Sequence, residues 1–119
     1  MKKFLIPALL VITTAISSAD FRHIVLFKFK DSATPEQVAA IEKAFGELPS
    51  KIDTIKAYEW GPSESVEQKN DGFTHCFLVT FENKAGLEVY IPHPAHEEFK
   101  KLLGGVLEKA LVFDYTAKD

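Results

Sequence analysis

The stretch Gly72–Glu82 reads GFTHCFLVTFE, and its alternation decides the fold. Successive side chains of a strand point to opposite faces. Phe73, His75, Phe77, Val79 and Phe81 therefore share one face, and Thr74, Cys76, Leu78 and Thr80 the other. Just upstream, Asn70-Asp71-Gly72 is a turn signal that closes a polar, aperiodic loop, Gly61–Asp71. Before that loop, Thr54–Trp60 is rich in β-branched and aromatic residues and reads as another strand. The first strand is Phe21–Lys30, FRHIVLFKFK. It sets Phe21, His23, Val25, Phe27 and Phe29 against Arg22, Ile24, Leu26, Lys28 and Lys30.

Helices fill the gaps. Asp31-Ser32-Ala33 turns the chain, Thr34 caps a helix, Pro35 suits its first position and Gln37 completes a capping box. Val38, Ile41, Phe45 and Leu48 recur at helical spacing, and Pro49 is expected to end the element. After Asn83-Lys84-Ala85-Gly86, a short helical piece over Leu87–Ile91 stops at Pro92. A longer helix is expected from Pro94 to Ala110, with Phe99, Leu102, Leu103, Val106 and Leu107 as its apolar side. Gly104 and Gly105 should weaken it by about 1 kcal/mol each. Leu111–Thr116 is a last short strand.

The order βαββ(α)αβ is that of an α+β, ferredoxin-like protomer with one four-stranded antiparallel sheet and helices on one face. The expected sheet order is 4-1-3-2. The Phe-rich faces of the first and third strands should lie under the helices. The far face is expected to carry Ile24, Leu26, Ile55, Ala57, Cys76, Leu78 and Val112, which is too apolar for water. A second copy of the same sheet is the simplest cover, which predicts a homodimer with the sheets face to face.

The chain has 119 residues, enough for a single domain. Residues 1–19 read as a secretory signal: a basic Met1-Lys2-Lys3, an apolar run from Phe4 to Ile16, and small residues up to Ala19, where cleavage is expected. That run is too short to span a membrane. The expectation is a periplasmic or secreted domain over residues 20–119. Without Lys2 and Lys3, the 14 Lys and Arg fall to 12 against 17 Asp and Glu, a net charge of −5. This argues against nucleic acid or a membrane surface as partner. One cysteine, Cys76, cannot form an internal disulfide, so the core must hold the fold.

The chemistry concentrates in Tyr90–Phe99, YIPHPAHEEF. His96 reads either as an idle residue in the first turn of a helix or as a base near neutral pH. A helix N-terminus disfavours the imidazolium and keeps the ring ready to accept a proton. Pro92 and Pro94 bend the chain so that Tyr90 and His96 can converge, with the phenol donating to a carbonyl or enolate oxygen. His93, before Pro94, reads as a helix cap. A His93/His96 metal site with Glu97 lacks a third nearby histidine, and no metal or cofactor is assigned. His23 and His75 lie on strand faces otherwise built from Phe and Val, where a polar spot in an apolar cavity is one reading and a satisfied core histidine the other. Each lies near its own strand's start, so antiparallel pairing carries them toward opposite ends of the sheet. Phe27 and Phe45 are the apolar candidates for lining such a cavity.

Four segments together, HIVLFKFKD (His23–Asp31), GFTHCFLVTF (Gly72–Phe81), YIPHPAH (Tyr90–His96) and LVFDYT (Leu111–Thr116), resemble the stress-responsive dimeric α/β-barrel family in order and spacing. The resemblance covers nearly all of residues 20–119. It implies a ferredoxin-like protomer and a dimeric barrel. It is strongest to plant members that fold a linear poly-β-ketone and close it by an aldol reaction without cofactor. That implies pocket residues His23, His75, Tyr90 and His96, with Tyr90 and His96 as the catalytic pair. Phe45 stands where those cyclases carry a pocket tyrosine. The resulting expectation is an exported, dimeric, cofactor-free stress-response protein that binds a small, largely apolar molecule and, if catalytic, works as a cyclase or lyase. The competing readings are a non-catalytic assembly scaffold and, less favoured, a haem-binding or monooxygenase-type barrel.

Overall fold

In the computed structural model, which describes residues 20–119, strand β1 (Phe21–Phe29) lies in the middle of the sheet. It pairs antiparallel with β3 (His75–Phe81) on one side and β4 (Leu107–Thr116) on the other. The remaining strand, β2 (Ile55–Pro62), pairs with β3, giving the order β2-β3-β1-β4. This is the expected α+β ferredoxin-like sheet. The secretory-signal reading falls on residues 1–19, outside the described residues.

Helix α1 (Pro35–Lys51) starts as its sequence dictates. Thr34 Oγ1 accepts from the Gln37 N–H at 3.1 Å, and the Thr34 N–H donates to Gln37 Oε1 at 2.9 Å. Ile41, Phe45 and Leu48 are buried on the sheet-facing side. Pro49 does not end the helix. The last turn survives without the proline N–H because Ser50 Oγ donates to the Glu47 carbonyl at 2.8 Å and the Ile52 N–H to the Leu48 carbonyl at 2.9 Å. The core is the aromatic layer between α1 and the sheet. The Phe45 and Phe77 rings stack at 4.1 Å, and Phe99 meets Phe45 edge-on at 5.0 Å.

After β3 come two short helices, α2 (Lys84–Tyr90) and α3 (Pro94–Lys100), then a single 3₁₀ turn over Lys101–Leu103. The expected helix to Ala110 is thus about half as long as its sequence pattern suggests. Gly105 has φ +77°, a left-handed conformation that glycine adopts without strain, and it reverses the chain into β4. Leu107 to Ala110 are strand, so β4 is longer than the expected Leu111–Thr116. Two face assignments also change. A register shift between Ile55 and Ala57 puts Ile55 opposite Phe81, and Val112 pairs with Val25, so both lie on the helix side. The open face instead presents Leu111, Phe113 and Tyr115, paired with Leu26, Ile24 and Arg22. Phe113 is 64% exposed there.

Two glycines should respond to alanine with opposite signs. Gly46 is in α1, and a Cβ added to it would meet nothing within 4 Å, so Gly46→Ala should stabilise by about 1 kcal/mol. Gly105→Ala has the same open space but the wrong φ, and should destabilise by about 1 kcal/mol. Urea midpoints of the two variants measure both signs.

Candidate active site

Between the sheet and the α2–α3 segment lies a cavity of about 310 Å³. Its floor is β1 and β4, through His23, Val25, Phe27, Ala110, Val112 and Asp114. Phe45 from α1 closes one side, and Tyr90, Ile91, His96, Phe99, Lys100 and Leu103 form the wall.

The YIPHPAH segment builds that wall by local bonding. Tyr90 is the last residue of α2, and its carbonyl accepts from the His93 N–H at 3.1 Å. His93 caps α3, its Nδ1 accepting from the Ala95 N–H at 3.0 Å. His96 Nδ1 lies 2.9 Å from the Ile91 carbonyl oxygen. A carbonyl can only accept, so Nδ1 carries the proton and Nε2 is left as the basic nitrogen. The bend between the two prolines brings the Tyr90 and His96 rings to 4.4 Å, centroid to centroid. Burial holds the imidazole below its ordinary pKa. The charges of Lys100 and His23 act the same way, against the Ile91 hydrogen bond and Glu97.

Tyr90 is 1% exposed and lines the cavity. Burial, with Tyr58 adding to it, raises the phenol above its ordinary pKa, so it stays protonated and able to donate. The His23 ring meets Tyr90 edge-on at 5.6 Å. His23 Nδ1–H donates to Asp114 Oδ1 at 2.6 Å, which fixes that ring as well.

Of the residues named from sequence, Tyr90, His96, His23, Phe27 and Phe45 meet at this cavity, and His75 does not. In the β1–β3 register His75 faces Phe27 rather than His23. Its Nε2–H donates to Glu42 at 2.7 Å, and its Nδ1 accepts from the Thr74 hydroxyl at 2.8 Å. Both ring nitrogens are engaged, and Trp60 stacks on the ring at 5.7 Å. His75 lines a different cavity, with Leu26, Phe73, Cys76 and Leu111. Sequence reasoning misses Asp114, which reads only as the end of a strand. The antiparallel β1–β4 register, which sets His23 opposite Asp114, is the signal that reveals it. Tyr58 is likewise missed; it stacks on Phe45 at 5.5 Å with its hydroxyl buried and unpartnered among the described residues. Among the described residues no group of three or more His, Cys, Asp or Glu comes together to hold a metal ion.

The geometry offers a base, a hydrogen-bond donor and an apolar chamber in contact with both. Known proteins are similar to the chain in sequence and in fold. Olivetolic acid cyclase from Cannabis sativa is 36% identical over 97 residues, which is 82% of this chain and 96% of that protein. The structure of hydroxynitrile lyase from Passiflora edulis superposes with a TM-score of 0.79 at 29% identity, covering 86% of this chain and 96% of that one. A dimeric ferredoxin-like protein of unknown function from Thermobifida fusca superposes with a TM-score of 0.71 at 25% identity, covering 82% and 90%. The family model of the stress responsive A/B barrel domain matches residues 21–117, the whole of the sheet and both faces of the cavity. By that match and by the fold that carries it, the chain belongs to the stress responsive A/B barrel domain family.

Proposed function

We propose that the cavity binds a small, largely apolar carbonyl compound and makes or breaks a carbon–carbon bond next to the carbonyl. The observation that carries this reading is the pairing of His96 Nε2, left basic by the Ile91 hydrogen bond, with the protonated Tyr90 phenol at one apolar cavity. In the condensing direction His96 takes a proton from the carbon beside a carbonyl, and Tyr90 donates to the enolate oxygen. The enolate carbon then bonds to a second carbonyl carbon, and the histidine returns its proton to the new alkoxide. In the cleaving direction His96 takes a hydroxyl proton, the carbon–carbon bond breaks as the carbonyl forms, and the histidine protonates the departing carbanion. Neither direction changes oxidation state overall, and both need only a base and an oxyanion donor. The presence of a cyclase and a hydroxynitrile lyase among the similar proteins supports this class of chemistry. His23, held by Asp114, orients the substrate beside Tyr90. The open 310 Å³ cavity favours this reading over a sealed assembly scaffold.

We also propose that the chain acts as a homodimer through the open sheet face, and that residues 1–19 direct its export. Leu111, Phe113 and Tyr115 expose 49%, 64% and 39% of their surface on that face. The Thermobifida fusca relative is dimeric by name. Lone apolar residues on a surface are ordinary, whereas a contiguous sheet face of them calls for a partner.

Proton exchange in D2O at the benzylic carbon of phenylacetone and cleavage of mandelonitrile are two direct assays of the proposed chemistry. His96→Ala should lower either rate by about 10²–10⁴-fold, and Tyr90→Phe by about 10²–10³-fold. Full activity in His96→Ala would overturn the mechanism. Because His96 acts as the neutral form and its pKa is lowered, activity should persist below the ordinary histidine value of about 6.5 and fall only at lower pH. A rate that is already half lost at or above that value would contradict the burial argument. For the assembly, sedimentation should show a dimer at micromolar concentration and Phe113→Asp should shift it to monomer; a monomeric unmodified protein would exclude the face-to-face pairing.

A further inference from the structure

The wall contributed by α3 has one feature that an apolar carbonyl alone does not need. His96, Phe99, Lys100 and Leu103 all reach the cavity, as residues at i, i+3, i+4 and i+7 of a helical path do. Lys100 is the only lysine or arginine among the described residues of the lining. Its ammonium is held by a single partner among the described residues, Glu97 Oε1 at 3.1 Å, in a pair whose side chains are 45% and 52% exposed. Exposed pairs at this spacing are weak and easily exchanged for another anion. The lysine is near enough to the site for its charge to act on His96, behind burial and the Ile91 hydrogen bond in weight. The one carboxylate in the lining, Asp114, already accepts from His23. That leaves Lys100 as the lining cation open to a ligand anion.

We infer that the cavity takes an apolar molecule bearing a carboxylate, with Lys100 receiving the acid group about 6 Å along α3 from His96. This rests on the binding reading proposed above and names the substrate class within it: a keto acid or related acid whose carbonyl lies a few bonds from its carboxylate. The polarity also fixes orientation. The carboxylate anchors at Lys100, and the reacting carbonyl falls beside Tyr90 and His96.

Octanoate and octan-1-ol are a matched pair of probes with and without the charge. Calorimetric titration of each into the full chain should show octanoate favoured by about tenfold. Lys100→Met should collapse that ratio to near one. Glu97→Gln, which removes the competing carboxylate, should raise octanoate affinity. Ala110→Trp, which fills the cavity floor from β4, should weaken both ligands together. If both ligands bind and Ala110→Trp blocks both, but the ratio ignores Lys100→Met, the acid-binding inference is wrong and the cavity reading stands. If neither ligand binds, or Ala110→Trp has no effect on either, the cavity reading falls and the inference with it.

Discussion

Strand β1 is hydrogen-bonded along both edges, and every part of the site depends on that constraint. Pairing with β3 and β4 locks its two-residue alternation, because a one-residue slip would turn each side chain to the opposite face. The register sets Val25 against both Phe77 and Val112, and His23 against both Val79 and Asp114. The same strand thus supplies the apolar floor of the cavity and the one buried histidine in it. The helices then have a fixed surface to cover. They cover it incompletely, since α2 and α3 are seven residues each and are joined by a bend rather than a continuous rod.

That bend turns packing into chemistry. A straight helix through Ile91–Pro94 would carry Tyr90 and His96 on a regular spiral. Here the proline-rich link, the His93 cap and the Ile91 carbonyl hold the two rings 4.4 Å apart. Burial then acts on the pair in opposite senses. It favours the neutral imidazole, which is the basic form, and the neutral phenol, which is the donating form. One desolvated environment thereby prepares both partners for acid–base work.

Much of this is legible in the sequence. Alternation in Phe21–Lys30 and Gly72–Glu82 marks the central strands, the Thr34–Gln37 pair marks the start of α1, and the connection order implies the sheet. The hidden parts depend on contacts distant in sequence. Gly104-Gly105 looks like a weakness within a long helix because the apolar period continues through Val106 and Leu107; only the reversal at Gly105 shows those residues passing from helix to strand. Ile55 and Val112 read onto the wrong face because a register shift and the true start of β4 cannot be counted from the chain alone. Pro49 looks like a stop because its missing N–H is a local fact, whereas the last turn is kept by bonds from Ser50 and Ile52 on its far side. At the site, Tyr90 and His96 are legible from spacing and the prolines. Asp114 and Lys100 are not, since one needs the β1–β4 register and the other the depth of the cavity. His75 looks equivalent to His23 by pattern, and the β1–β3 register that sets it opposite Phe27, with its bond to Glu42 on α1, separates their places.

The most direct test is a crystal structure of the chain soaked with phenylacetone, a small apolar ketone. The ketone is expected within the β1–β4–α3 cavity, its oxygen in hydrogen-bond reach of the Tyr90 hydroxyl and its benzylic carbon against His96 Nε2. Phenylacetone bound elsewhere, or a cavity where Tyr90 and His96 touch only each other and protein, would contradict the proposed chemistry.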